Sequence, residues 1–175
     1  NDAQFSQDLV ISRVNSELAN NLGNLLSRTT QLVHKYFDGK IPSIEIKSET
    51  SQKLLNLAVL TPEKVKQEIL KYSPSMAVGH VMDLLTEANK FLEQEAPWKK
   101  AKDDLSGAGE SLYTVLEVLR IAGTLLFPVI PSKAQEILKR IGASDVLNFE
   151  DCKKSRVLHA GAAVTKGDPL FPRVQ

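Results

Sequence analysis

The sequence predicts an all-α bundle of about five helices, most of them antiparallel and joined by short loops. Three observations carry this. Apolar residues recur at helical spacing over 6–37 and again over 74–95. A third stretch is apolar almost all round from Leu112 to Phe127, and Pro and Gly punctuate the chain between these segments. A chain of 175 residues with 42% hydrophobic residues is long enough for one substantial core.

The first helix is expected over 6–37, with Ser6 and Asp8 placed to cap its first turn. At about 100° per residue, Val14, Leu18, Leu22, Leu25, Leu32, Val33 and Tyr36 share one face, a wide stripe that must be buried. Asn15 falls inside that face and therefore requires a buried partner. Along one border Glu17, Asn21, Asn24 and Arg28 follow at spacings of four, three and four, which stacks them in one column. Amides pair with base edges, and Arg offers a rigid fork of donors, so the column suits nucleobases or carboxylates; solvated amides are the plainer alternative. Gly23 costs about 1 kcal/mol against Ala in mid-helix, which predicts close approach of a neighbouring helix or a bound loop there.

Asp38-Gly39-Lys40 and Ile41-Pro42 stop this helix, and a loop runs to about residue 50. Residues 50–60 read as a short helix that can run into the next one. Thr61-Pro62-Glu63 then carries a helix-start signal, with a capping Thr, a Pro at the first position and an acid in the first turn. That helix ends near Tyr72. Ser73-Pro74 restarts the chain, and Met76, Val78, Val81, Met82, Leu84, Leu85, Ala88, Phe91 and Leu92 carry an apolar face to about residue 95.

Pro97 breaks the pattern and puts Trp98 at a corner between helices. A corner Trp is either a core residue burying a large area or a platform on which an unpaired base stacks. Lys99, Lys100 and Lys102 follow, a basic cluster that suits flanking phosphates or an ordinary solvated helix start. Asp103 and Asp104 are placed to cap the next helix, 108–126, expected to be the most buried. Pro128 and Pro131 end it, and Ser132 with Gln135 forms a capping-box pattern for a helix to about 141, closed by Gly142. After a short helix at 144–149 the pattern dissolves into an irregular tail. The division expected is a bundle over 1–150 and a tail over 151–175, mobile unless it docks locally.

Acids and bases nearly balance, leaving a net charge of +1 and no overall basic field, so any nucleic-acid contact must be local. A single cysteine, Cys152, excludes an intramolecular disulfide and a multi-cysteine metal site. His34, His80 and His159 lack metal-ligand spacing, and no catalytic constellation is present. No apolar run reaches membrane-spanning length and no leader pattern opens the chain, so a soluble, cytoplasmic protein without membrane partners is expected.

Four stretches carry a family resemblance, in order along nearly the whole chain. They are the segment from Arg13 to Arg28 reading Arg-Val-Asn-x-Glu-Leu-Ala-Asn-x-Leu-Gly-Asn-Leu-x-Ser-Arg, then Glu95-Ala-Pro-Trp-Lys-Lys-Ala-Lys102, Leu116 to Pro131, and Asp168-Pro-Leu-Phe-Pro-Arg173. Together they resemble the helical anticodon-binding domain of the methionyl-tRNA synthetases, class I aminoacyl-tRNA synthetases. The resemblance implies that Asn24, Arg28 and Trp98 meet the anticodon of a methionine tRNA, chiefly its first base, a cytosine in C-A-U. Glu17, Asn21, Pro97, Lys99, Lys100 and Lys102 are additional candidates for RNA contact. The family's His-Ile-Gly-His and Lys-Met-Ser-Lys-Ser type signatures are absent from these residues, as are its zinc-knuckle cysteines. The resemblance therefore implies a recognition domain, inactive alone, whose partners are the tRNA and a catalytic domain of the same chain. No cofactor is expected here; ATP, with or without zinc, belongs to that catalytic half. The rival expectations are an anticodon domain of a related class I synthetase and a stand-alone helical protein-interaction module.

Overall fold

The apolar stripes become the inner faces of one helical bundle. The computed structural model describes residue 12 and residues 15–143 and 148–172. A π-helical turn, Ala19–Gly23, leads into α1 (Asn24–Phe37). It is followed by α2 (Glu49–Leu70), α3 (Pro74–Glu95), the single turn α4 (Pro97–Lys100), α5 (Leu105–Leu126) and α6 (Pro131–Arg140), with a 3-10 turn at Glu150–Lys153. The expected caps at Ser6 and Asp8 and most of the helix expected at 144–149 lie outside the described residues.

Asn21 meets Thr86 and Arg28 meets Glu93, so α1 and α3 run parallel. Thr50 at the start of α2 meets Glu95 at the end of α3, and Gly109 near the start of α5 faces Phe37 at the end of α1. Successive long helices thus alternate in direction. The end of α1, the start of α2, the end of α3 and the start of α5 gather at one end of the bundle, where α4 turns the corner.

The structure corrects several boundaries. Thr61 and Pro62 do not start a helix: α2 runs unbroken through Pro62 from a cap at Ser48, whose side chain accepts the Ser51 amide. An interior Pro costs about 3 kcal/mol, but Leu54, Leu55, Ala58, Thr61, Pro62 and Val65 form one buried stripe across it. Burial of that stripe offsets the lost hydrogen bond, and the Thr61 hydroxyl turns inward to the Leu57 carbonyl at 2.9 Å. Helix α5 starts earlier than expected because Asp104 caps it, accepting the Gly107 amide at 2.8 Å. Helix α6 takes Pro131 at its first turn with no side-chain cap, so the Ser132 capping box does not form. Asn15 is exposed rather than buried. The π-helical turn after it adds about one residue's rotation, roughly 100°, and swings Asn15 off the face it would share with Leu22 in a straight helix.

Helix α5 is the centre of the bundle, buried at every position from 108 to 123. Its apolar surround holds three charged side chains that the periodicity hides, Glu110, Glu117 and Arg120. Glu117 is fully buried and accepts the backbone amides of Arg156, Val157 and Leu158 at 2.7–3.1 Å. Arg120 donates to the same carboxylate and to the carbonyls of Asp151 and Lys154. The Tyr113 hydroxyl donates to the Leu158 carbonyl at 2.8 Å.

Through these contacts the described part of the tail, 151–172, docks locally, the alternative that the expectation of a mobile tail left open. Residues 148–172 are laced onto the bundle, with Cys152, Leu158, Val164 and Leu170 in the same core. Val164 pairs its amide with the Gly39 carbonyl, and Lys40 and Ala163 form an antiparallel bridge. Phe171 packs at Gly23, where an added Cβ would meet its ring at 3.4 Å. The close approach expected at Gly23 is therefore made by the tail, at ordinary contact distance, and not by a neighbouring helix. Among the described residues no helix is long and apolar enough to cross a membrane.

Candidate functional site

The corner after α3 is built by a backbone device. Ala96 takes a left-handed conformation (φ 42°), donates its amide to the Leu92 carbonyl, and hands over to Pro97 at the first position of α4. Pro97 is buried, and Trp98 comes next, half-buried, packed against the core on one side. The corner is braced by Glu95, whose carboxylate takes Lys100 and the Thr50 hydroxyl. Burial alone would raise the Glu95 carboxyl, but those two hydrogen bonds and the Lys100 charge hold it below its ordinary value.

Above this corner lies Arg28. Its guanidinium carbon is 5.4 Å from the centroid of the Trp98 ring, and its Nη1 is 2.6 Å from the Glu93 carboxylate. Both side chains of that ion pair are well exposed, 38% and 59%. Such a pair is worth about 0–1 kcal/mol, so the fork is held in place yet readily exchanged. The ring, Arg28, Gln31, Leu32 and Lys35 line an open groove of about 290 Å³. The Tyr36 hydroxyl reaches the Trp98 carbonyl at 3.4 Å and ties α1 to the corner.

A second, polar groove of about 530 Å³ runs beside the first between α1 and α3. Asn21, Arg28, Thr86, Asn89, Lys90 and Glu93 line it, so Arg28 belongs to both. Asn21 is half-buried and donates to the Thr86 hydroxyl at 3.4 Å. Asn89 donates to the Asn21 carbonyl at 3.1 Å.

Of the residues singled out in the sequence, the structure brings together Asn21, Arg28, Pro97 and Trp98. Asn24 is exposed and lines neither groove, and Glu17 is half-buried one turn before Asn21. Lys99 and Lys102 are exposed, whereas Lys100 is turned inward to Glu95. Sequence reasoning missed Gln31, Lys35, Asn89 and Glu93. Gln31 and Lys35 were accessible to it, since they stand three and seven residues from Arg28 on the same helix face. Asn89 and Glu93 were not, because nothing local shows which face of α3 meets α1.

A sequence profile described as the anticodon binding domain of methionyl tRNA ligase matches residues 48–175, which include Trp98 but not Asn24 or Arg28. The methionine–tRNA ligase of Caldanaerobacter subterraneus is 37% identical over 175 residues, and that of Clostridium acetobutylicum 36%. In both cases the match covers 99% of this chain and 27% of the relative, so the chain spans about a quarter of the length of these curated relatives. A solved structure of Mycobacterium tuberculosis methionyl-tRNA synthetase in complex with methionyl-adenylate superposes with a TM-score of 0.86 at 30% identity. It covers 95% of this chain and 33% of that one.

Proposed function

The chain belongs to the family of anticodon-binding domains of methionyl tRNA ligase, and from that premise we infer that the Trp98 corner receives one unstacked base of an anticodon loop. In a methionine tRNA this is the first anticodon base, the cytosine of C-A-U. The observation that carries the reading is the exposed guanidinium of Arg28 lying 5.4 Å from the Trp98 ring centroid. An aromatic face and a donor-only fork converge on one open groove. Stacking on the indole contributes about 1–3 kcal/mol per base irrespective of sequence, and a fork that finds acceptors on one base edge adds discrimination.

In this reading the base displaces Arg28 from the ring, and Arg28 turns to the cytosine's acceptors, O2 and N3, or to an adjoining phosphate. Asn24, exposed one turn away, reaches the bound strand from outside the groove. Lys35, Lys99 and Lys102 supply cations for the phosphates, a local patch on a chain whose net charge is only +1. The longer protein is proposed to attach methionine to tRNA using ATP, this segment contributing recognition and no chemistry.

The test is equilibrium binding, at low salt, of anticodon stem-loops bearing C-A-U and G-A-U to wild type and Trp98→Ala. The reading expects wild type to prefer C-A-U and Trp98→Ala to weaken both. Equal affinity for the two loops, unchanged by the substitution in a folded protein, would refute it.

A further inference from the structure

The helix that carries Arg28 is not regular where it meets α3. Over Ala19–Gly23 it widens into a π-helical turn, which holds one residue more than an α-helical turn. Such a break in the hydrogen-bond ladder has an identifiable cause when a side chain enters it. Here the entering group is the Asn89 amide, whose Nδ2 donates 3.1 Å to the Asn21 carbonyl and 2.9 Å to the Leu85 carbonyl of its own helix. The Asn24 amide also points to the Asn21 carbonyl, which marks the point where the ladder changes register. Asn21 in turn donates its side-chain amide to Thr86, and the Thr86 hydroxyl is anchored on the Met82 carbonyl at 3.0 Å. Two rows of α3, one through Asn89 and one through Thr86, thus grip the widened turn.

One extra residue rotates the helix on one side of the turn against the other by about 100°. Leu18 and Leu22, at and before the turn, are fully buried. Arg28, one turn beyond it, comes to lie over Trp98.

The geometry points to Asn89 as a positioning residue for anticodon reading: its amide holds the π-helical turn open and so fixes the rotation that sets Arg28 over Trp98. This rests on the reading of Arg28 and Trp98 as the base-binding pair. Asn89 acts through Arg28, and the role requires an N–H donor of this length. Asp has the same shape without the donor, and Leu has the bulk without either polar atom.

The experiment compares wild type, Asn89→Asp and Asn89→Leu for binding of the C-A-U and G-A-U stem-loops across a salt series, and determines crystal structures of the variants. The expected result is a folded protein whose residues 19–23 close into a regular α-helix. Its preference for C over G should fall by about tenfold or more, while in the uncharged Asn89→Leu the salt dependence is unchanged because no phosphate ligand has been removed and no charge added. A folded variant that keeps either the widened turn or the C-over-G preference overturns the proposal. If wild type itself shows no preference, the base-reading assignment fails, and the turn in the variant structures still decides whether Asn89 holds it. Should both variants fail to fold, Asn89→Ala, which leaves only a small gap at a half-buried position, carries the same expectations.

Discussion

Arg28 and Trp98, seventy residues apart in the chain, face each other with guanidinium carbon and ring centroid 5.4 Å apart. Neither is fixed by the other alone. Trp98 is aimed by the left-handed Ala96 and the Pro97 start of α4, and Arg28 by the register of α1 against α3. The pairing also orders a contrast between charge and shape. Lysine keeps the charge at position 28 but loses the planar fork. Arg28→Lys should therefore keep most of the salt-dependent affinity for any anticodon loop while the preference for C over G drops about tenfold. Competition binding with the two loops checks this; an unchanged preference would mean that Arg28 serves only as a charge.

Glu117 is the most heavily used buried group in the described residues, taking three consecutive amides of the tail and the Arg120 guanidinium. Removing its carboxylate takes the acceptor from five N–H donors, three backbone amides and two of the Arg120 guanidinium. Glu117→Leu should cost about 3–5 kcal/mol in urea unfolding, and amide exchange at 156–158 should accelerate first. A loss below about 1 kcal/mol would show that the tail is held by its apolar contacts alone.

How much of this was legible in the sequence differs from element to element. Helix α3 could be read in full, because Pro74 opens it and its apolar face keeps one period to Phe91 and Leu92. Helix α2 could not, since Thr61-Pro62 has the local chemistry of a start and only burial on both sides of Pro62 shows that the helix continues. The polar column was read with a straight-helix ruler. The π-helical turn that bends the ruler depends on Asn89, sixty-eight residues beyond Asn21, and local spacing carries no trace of it. Arg28 and Trp98 were found as residue types in suggestive settings, yet their juxtaposition and the Glu93 brace appear only when α1 and α3 are packed. The tail has no periodicity, so its docking was unreadable. Glu117 and Arg120 were passed over because the segment around them is so apolar.

The brace beneath the site titrates in acid. The Glu95 carboxyl is held below its ordinary value of 4.5, so the folded state binds its proton less readily than the unfolded chain does. Its contribution is present above about pH 4.5 and is lost as pH falls through the lowered folded value. Because Glu95 ties Lys100 and Thr50 to the corner, the emission of Trp98, the sole tryptophan, should shift in that acid window. Glu95→Gln should abolish the shift; a shift that persists in the variant would place its cause elsewhere.

At the alkaline end, burial, reinforced by the Glu117 carboxylate, pushes the Tyr113 phenol up to about 12 against the opposing charges of Arg120 and Arg156. The folded protein therefore holds this proton more tightly than the unfolded chain. The associated stability is complete below pH 10 and is lost as pH rises from about 10 to about 12. Phenolate absorbance should show one of the three tyrosines titrating about two units late, together with release of the tail. Three tyrosines titrating together near pH 10 with the fold intact would contradict this.

The most direct measurement of the central claim is the fluorescence of Trp98 during titration with the C-A-U anticodon stem-loop. A base stacked on the indole must alter its emission, and no other tryptophan contributes. Saturable quenching is expected from the C-A-U loop at lower concentration than from the G-A-U loop, with Arg28→Lys narrowing the difference. Saturable binding of the C-A-U loop, seen by an independent label, that leaves the Trp98 emission untouched would contradict the account, because the loop would then be read somewhere other than this corner.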